Sequence, residues 1–328
     1  MIWQSRSVLQ ICSMKKATKG YPDDYHVPVL YKEVVESLLI NPDGIYYDGT
    51  LGGGGHAELF LRALSNKAIY IGIDRDPEAI DFAKKYLNRY NNLIIYNGTF
   101  NMFETALKIA RVERLDGILL DLGVSKHQID KDLRGFTFRP GVSLDMRMNT
   151  SDTLTAADIL NSYEEDKLVK IFKEYGEERF SKNIARRIIK VREEVAITTS
   201  NQLLEIINQS IPGKFLIKSY ARIFQALRIE VNNELNILKD ALEKSLTYLK
   251  RGGRLGVIAY HSGEDRIVKE FIKKQENPCV CSKDLPYCVC GNKPQLRRIK
   301  PYPITPSPEE IAKNPRARSA KFRVGERI

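Results

Sequence analysis

The sequence predicts an α/β fold, a parallel sheet domain interrupted by an inserted helical domain. Three observations predict it. Gly44 to Glu58 reads G-I-Y-Y-D-G-T-L-G-G-G-G-H-A-E, a β-type run, a four-glycine turn and the start of a helix. Short apolar runs, three of which end in an aspartate, alternate with amphipathic stretches as far as Asp121. The alternation stops at about Lys126, gives way to helical periodicity, and resumes near Arg254. Strands alternating with helices at this spacing imply a parallel sheet with right-handed crossovers.

Taken in order, residues Met1 to about Asp24 show no convincing periodicity and read as a disordered extension, or as sequence upstream of a true start at Met14. From His26, H-V-P-V-L-Y-K-E-V-V-E-S-L-L is a proline-marked turn followed by an amphipathic helix. Ile45 to Tyr47 forms the first strand, with Asp48 at its end and a helix from about His56 after the glycines. Ala68 to Ile73 forms the second strand, ending in Asp74, and Pro77 sits in the first turn of the next helix. Leu93 to Tyr96 is the third strand, with Gly98, Thr99 and Phe100 at its exit, followed by a helix over about Met102 to Arg111. Gly117 to Leu120 is the fourth, ending at Asp121. Phe136 to Ala221 is expected as the inserted helical domain, with helices at Glu165 to Tyr175 and Ser181 to Arg192. The sheet domain then comprises 25–135 and 222–328. A long helix over about Glu230 to Leu249 is expected to close on Arg251-Gly252-Gly253 as a glycine cap. Arg254 to Tyr260 supplies the fifth strand, a helix covers about Glu264 to Lys274, and two β segments near Gln295 to Ile299 and Ser319 to Val324 end the chain.

With 328 residues and 43% hydrophobic content the chain can bury a core large enough for two domains. No apolar run is long enough to span a bilayer, so no membrane partner is expected. The net charge of +11 favours a polyanionic partner. That charge is uneven: Arg251 to Ile328 carries 17 Lys+Arg against 8 Asp+Glu, a surplus of 9. Clustering of this kind suits nucleic acid better than a small acidic metabolite. Cys12 stands alone, whereas Cys279, Cys281, Cys288 and Cys290 form C-x-C-x6-C-x-C. That spacing suits one tetrahedral zinc or a reduced, metal-free loop, the common ribbon spacing being C-x2-C, and no metal is assigned.

In an open α/β sheet the ligand crevice lies outside the carboxyl ends of the strands. Asp48, Gly54, Gly55, His56, Asp74, Phe100, Asp121, His261 and Ser262 all fall there. Asp74 is placed to accept hydrogen bonds from a ribose diol, and Phe100 to lie against an adenine face. A nicotinamide dinucleotide would use a G-x-G-x-x-G turn with an acid about 20 residues on, which Gly52 and Asp74 nearly satisfy. S-adenosylmethionine has no pyrophosphate, and its sites want an acid just before the glycines for the amino-acid end, where Asp48 sits. The basic tail and the helical insertion favour methyl transfer to RNA over hydride transfer.

From His26 to the C-terminus the chain resembles the ribosomal RNA small-subunit methyltransferase H (MraW) family. The stretches that carry the resemblance are H-V-P-V-L (26–30), D-G-T-L-G-G-G-G-H (48–56), G-I-D-R-D-P (72–77), D-G-I-L-L-D-L-G-V-S (116–125), R-G-F-T-F (134–138), L-D-M-R-M (144–148), Y-G-E-E-R-F (175–180), R-I-F-Q-A-L-R-I-x-V-N-x-E-L (222–235) and N-P-R-A-R-S-A (314–320). The resemblance implies a class I S-adenosylmethionine-dependent, Rossmann-like methyltransferase domain with a helical substrate domain. It implies methyl transfer to N4 of a cytosine in the decoding region of 16S ribosomal RNA, on the RNA or the small subunit, in the cytoplasm. It also implies a cofactor pocket of Gly54, Gly55, His56, Asp74, Phe100, Asp121 and Gln128. Departures are Lys126 in place of a second serine, Y-H-S-G-E-D-R (260–266) where the family has F-H-S-L-E-D-R, and K-S-Y-A (218–221) where it has H-P-A-T.

The cytosine amino group is a poor nucleophile because its lone pair is delocalised into the ring. An acceptor at the end of the fourth strand, Asp121 or a nearby main-chain carbonyl, would localise that lone pair for in-line attack. Asp121 equally reads as a cofactor-binding residue only. Candidates for the wall around an unstacked base are Asp145, Arg147, Arg222, Gln225, Arg228, His261, Glu264, Asp265 and Arg266. Each also reads as a member of a structural ion pair. The rival functions are a non-catalytic RNA-binding protein that kept the fold and an NAD-dependent oxidoreductase.

Overall fold

The computed structural model describes residues 28–125, 128–129, 134–282, 287 and 289–328. The N-terminal extension, Met14, Cys12, Lys126 and Cys288 lie outside them. The chain forms two compact units, residues 1–123 with 237–328, and 124–236.

The first unit is built on a seven-stranded sheet of order β3-β2-β1-β4-β5-β7-β6. The strands are β1 (Ile45–Asp48), β2 (Ile69–Asp74), β3 (Leu93–Asn97), β4 (Leu115–Asp121), β5 (Leu249–Ala259), β6 (Leu296–Arg298) and β7 (Lys321–Arg327). β1 to β5 are parallel, and β7 runs antiparallel to both β5 and β6. The helices are α1 (Tyr31–Leu38), α2 (Gly55–Ala63), α3 (Pro77–Tyr86) and α4 (Phe103–Ala110). Side chains alternate across the pleat, so neighbouring tyrosines of β1 serve opposite layers. Tyr46 packs with Phe60, Val34 and Leu38, whereas Tyr47 packs with Phe103, Ile71 and Leu120. Strand order reverses between β1 and β4, and at such a switch point the connecting turns diverge and leave a crevice at the carboxyl ends. Register pairs Asp48 with Gly72 and Leu119, and Asp121 with Ile258, which brings the acid-terminated ends to one edge.

The second unit has its own apolar core, including Leu144, Met146, Leu160, Phe172, Ile188, Leu203 and Leu227. It contains α5 (Ala156–Ser162), α6 (Glu165–Glu174), α7 (Ser181–Arg192), α8 (Ser200–Ser210) and α9 (Leu216–Asn232). α9 runs through the expected seam at 221 and 222, and the unit extends beyond 136–221 on both sides.

Two local expectations need correction. The helix expected over Glu230 to Leu249 is broken at Asn233, whose φ of 50° caps α9 in the left-handed region before α10 (Glu234–Tyr248) begins. Asparagine tolerates that conformation better than most residues. Arg251-Gly252-Gly253 is not a helix cap but part of β5, where the pairing with β4 shifts register between Leu115 and Gly117. A Cβ on Gly253 would lie 2.9 Å from the Lys250 carbonyl and 3.0 Å from that of Leu115. The glycine thus accommodates a bulge. α11 (Ser262–Glu276) and the short α12 (Pro308–Lys313) follow in the sheet unit. No helix among the described residues is long and apolar enough to cross a membrane.

Candidate functional site

The site grows from the strand ends of the sheet unit. Asp48 closes β1 and is buried. Its Oδ1 accepts the Thr50 N–H at 3.1 Å and its Oδ2 the Tyr70 hydroxyl at 3.0 Å. Burial pushes its carboxyl up to about 6, with His56 partly opposing the shift. The chain then turns through Gly52 (φ 53°) and Gly54 (φ 84°). A Cβ on Gly54 would stand 2.7 Å from Leu87 Cδ1 as well as being strained by the positive φ. Gly55 opens α2 and His56 follows it.

Asp74, half-buried at the end of β2, binds two turns together. Gly52 N–H donates to one carboxylate oxygen and Asp76 N–H to the other, both at 2.8 Å. Burial raises this carboxyl to about 6 despite those two donors. Asp121 closes β4: its N–H donates to Thr50 Oγ1 at 2.6 Å, and its Oδ1 accepts the Tyr260 hydroxyl at 2.8 Å. Burial, then the Asp121 charge, holds the Tyr260 phenol well above its ordinary pKa, so it remains a donor. His56 Nε2 lies 3.5 Å from Asp121 Oδ2. The imidazole is buried, and neither ring nitrogen has a hydrogen-bond partner among the described residues. Buried polar atoms are normally paired, so the ring is available to a ligand at this edge. Phe100, half-buried at the exit of β3, is fixed through its carbonyl, which accepts the Tyr47 hydroxyl at 2.9 Å. Gly49 allows that approach, since a Cβ there would meet Phe100 Cβ at 2.6 Å.

Asp48, Gly54, Gly55, His56, Asp74, Phe100 and Asp121 thus all belong to the turns at the carboxyl edge of one sheet. Gln128 belongs to the other unit. Its Oε1 accepts the Ser125 N–H at 2.9 Å, and its own N–H donates to Ser125 Oγ at 3.2 Å, a reciprocal S-x-x-Q cap.

The candidate wall residues divide between the units. In the helical unit, Arg147 grips Asp145 with two bonds of 2.8 and 2.6 Å, and also donates to the Thr150 and Asp152 carbonyls. Arg228 forks onto Glu234 at 2.9 and 3.0 Å, and Gln225 Nε2 donates to the Tyr175 carbonyl at 2.9 Å. Arg222 lies 3.8 Å from the buried Glu178 and keeps 40% of its side chain exposed. In the sheet unit, His261 and Glu264 form a capping box at the start of α11, with Glu264 Oε2 accepting the Tyr260 N–H at 2.9 Å. Asp265 accepts from Arg323 Nε at 2.7 Å and Lys321 Nζ at 3.2 Å, joining α11 to β7. Arg266 is exposed.

Sequence reasoning passed over Thr50, Tyr70 and Tyr260, which fix the carboxylates. Thr50 stood inside the D-G-T-L-G-G-G-G-H stretch and Tyr260 marked the departure from phenylalanine beside His261, whereas Tyr70 carried no such signal.

A sequence profile described as the MraW methylase family matches residues 23–328. The chain is 47% identical over 304 residues to ribosomal RNA small subunit methyltransferase H of Caldicellulosiruptor saccharolyticus, covering 92% of this chain and 99% of that protein. It is 48% identical over 305 residues to the protein of the same name from Clostridium botulinum, with the same coverage. The identity to the protein of that name from Fusobacterium nucleatum is 45% over 307 residues, 93% of this chain and 98% of that one.

Proposed function

The chain belongs to the MraW methylase family, and on that premise we propose that it methylates small-subunit ribosomal RNA, transferring a methyl group from S-adenosylmethionine to N4 of a cytosine in the decoding region of the 16S molecule. The observation that carries this reading is the carboxyl edge itself. A glycine turn braced by Asp48 and Asp74 stands beside Asp121, and the buried His56 ring between them lacks a hydrogen-bond partner among the described residues.

The residues present fit the methyl donor. Asp74, already oriented by two backbone N–H groups, is a preorganised acceptor for the ribose hydroxyls. The Phe100 ring offers a face to adenine, and the close-approach glycines leave room for the donor's backbone-facing atoms. Asp48, tied to Thr50 and Tyr70, contributes by holding the turn and by its negative field at the amino-acid end. When bound, S-adenosylmethionine supplies an electrophilic methyl on a sulfonium. Asp121 is the acceptor for the N4 hydrogens: its carboxylate draws them, localises the nitrogen lone pair, and receives the proton the alkylated amine must lose. Tyr260 and the Thr50 hydroxyl keep that carboxylate in place.

Substrate recognition is assigned to the helical unit together with the basic C-terminal segment. In the helical unit, the Arg179 guanidinium and the Lys214 ammonium lie 3.6 and 5.1 Å from the Phe215 ring centroid, a cation–aromatic cluster of the kind that stacks unpaired bases. Among the wall candidates, Arg222 and Arg266 keep exposed side-chain surface that suits phosphate contact while each also has a partner within the chain, and Asp145, Arg147, Arg228 and Asp265 are held in internal ion pairs.

The test is to incubate the protein with labelled S-adenosylmethionine and undermodified 30S subunits or naked 16S RNA, then map the label by nucleoside. Label in N4-methylcytidine is expected, in one of the two substrates. Its absence from both, with label in another nucleoside or none, refutes the assignment.

A further inference from the structure

Between the end of α11 and β6 the chain makes a long excursion over residues 277–295. It is tied at its base by the Gln295 N–H to the Gln275 carbonyl at 2.8 Å, and by Asn292 Nδ2 to the Pro278 carbonyl at 3.1 Å. Its described apolar side chains are not drawn into a core. Val280, Tyr287 and Val289 are 76%, 74% and 66% exposed. Closing a connection of this length costs entropy that such exposed side chains do not offset by burial.

The sulfurs of Cys279, Cys281 and Cys290 all lie within 4.8 Å of one another, the only such cluster of metal-ligating side chains among the described residues. Tetrahedral Zn–S bonds of about 2.3 Å put neighbouring sulfurs roughly 3.8 Å apart, so side-chain adjustment of about an ångström closes the set. A second observation points the same way. The Val289 N–H donates to Cys281 Sγ at 3.3 Å, so a main-chain amide is directed at sulfur, an arrangement that stabilises a thiolate ligand. Gly291, at φ 68° with open space where a Cβ would stand, turns the chain immediately after Cys290. Lys273, Lys274 and Lys293 lie close to the cysteines in sequence.

We infer that Cys279, Cys281 and Cys290 bind one zinc ion that staples this loop. A soft, thiolate-only set of donors selects zinc over magnesium or calcium, and zinc imposes no redox chemistry. Binding converts three thiols and Zn²⁺ into a tris-thiolate zinc centre with release of three protons. The fourth position is filled by solvent or by a further side chain. Cys288 lies outside the described residues, and the site is argued without it. The inference does not depend on the methyl-transfer reading.

The experiment uses the reduced full-length protein. Metal content is measured after purification without chelator, and the apo protein is then titrated anaerobically with Co²⁺. One zinc per chain is expected, and Co²⁺ should give sulfur-to-cobalt charge-transfer bands with intense tetrahedral d–d absorption that one equivalent of Zn²⁺ abolishes. Cys279→Ser, Cys281→Ser and Cys290→Ser should each lose most of the bound zinc while keeping the wild-type far-ultraviolet circular dichroism. Cys12→Ser should keep it all. Octahedral cobalt spectra, no zinc retained above buffer, equal loss in Cys12→Ser, or a mass showing these thiols paired as disulfides in the protein isolated under reducing conditions would each overturn the assignment.

Discussion

The Tyr260 hydroxyl donates to Asp121 Oδ1 at 2.8 Å, linking the residue that follows β5 to the last residue of the adjacent parallel strand β4. The phenol thereby orients a carboxylate whose other oxygen faces His56 at 3.5 Å. The resemblance implies phenylalanine at this position, so the hydroxyl is expected to orient the carboxylate and not to carry the chemistry. Tyr260→Phe should therefore reduce methyl transfer by no more than a few-fold, because water can replace one donor on a carboxylate that is only half-buried. Asp121→Asn should instead lower kcat by roughly 100-fold or more, since it removes the proton acceptor itself. Parallel kcat measurements on the two variants decide the matter, and equal losses would mean that Asp121 acts only through its position.

Asp74 is the second point of leverage. Replacing it by alanine removes the acceptor for the Gly52 and Asp76 N–H groups and for the ribose diol. A hydrogen bond to a charged group contributes about 1.5–3 kcal/mol, so Asp74→Ala should weaken S-adenosylmethionine binding by roughly 10- to 100-fold. Because the residue ends a strand at the edge of the sheet and belongs to no apolar core cluster, the fold should survive, with unchanged far-ultraviolet circular dichroism. Calorimetric titration that returns the wild-type Kd would remove the ribose role.

The edge of carboxylates was legible because β1, β2 and β4 are short apolar runs each closed by an aspartate, and the glycine turn marks where the chain leaves the first of them. What fixes those carboxylates was not. Tyr70 reaches Asp48 across β1 and β2, and Tyr260 reaches Asp121 across β4 and β5. Both bonds depend on strand register between segments far apart in sequence, which local pattern does not encode. Asn233 was missed for a different reason: a single left-handed residue interrupts α9 and α10 without disturbing the apolar periodicity on either side. The Gly252-Gly253 pair reads as a cap in isolation, and only the shifted pairing with β4 reveals a bulge. His261 and Glu264 looked like chemistry, yet their spacing is also that of a helix cap, and the structure uses it as one.

Asp265 separates structural from substrate contacts among the wall candidates. Although burial opposes it, the bonds from Arg323 and Lys321 hold its carboxyl below the usual range. A carboxyl lowered on folding contributes stability above its unfolded pKa and loses it as pH falls through the folded value. Arg323→Met should cost about 3 kcal/mol at neutral pH, because it strips the main partner from a buried carboxylate, and should flatten the acid limb of stability. Urea unfolding across pH measures both. The KM for the RNA substrate should stay at the wild-type value in this variant, and a raised KM with unchanged stability would return Asp265 to the substrate wall.

Asp48 has the opposite sign, which makes it a sharper test of the turn. Burial is the main cause of its elevation to about 6, and the nearby Asp121 charge adds to it, while His56, the Thr50 N–H and Tyr70 oppose it. A carboxyl raised on folding binds protons more readily in the native state, so its contribution to stability is fully present below the unfolded value of about 3.9. It is then lost as pH rises through about 6. In the apo protein the ionised side chain should cost roughly 3 kcal/mol above that window relative to the neutral form, by the free energy of a two-unit shift. Asp48→Asn keeps the shape and the acceptor for Thr50 without the charge. The variant should therefore gain on the wild type between about pH 4 and 6 and hold the gain at pH 7. Its affinity for a cationic methyl donor should fall, since the negative field at the amino-acid end is gone. Stability curves for the two proteins that run parallel over this range would show that Asp48 is ionised at little cost, and that the turn is not built around a carboxylate held at the edge of protonation.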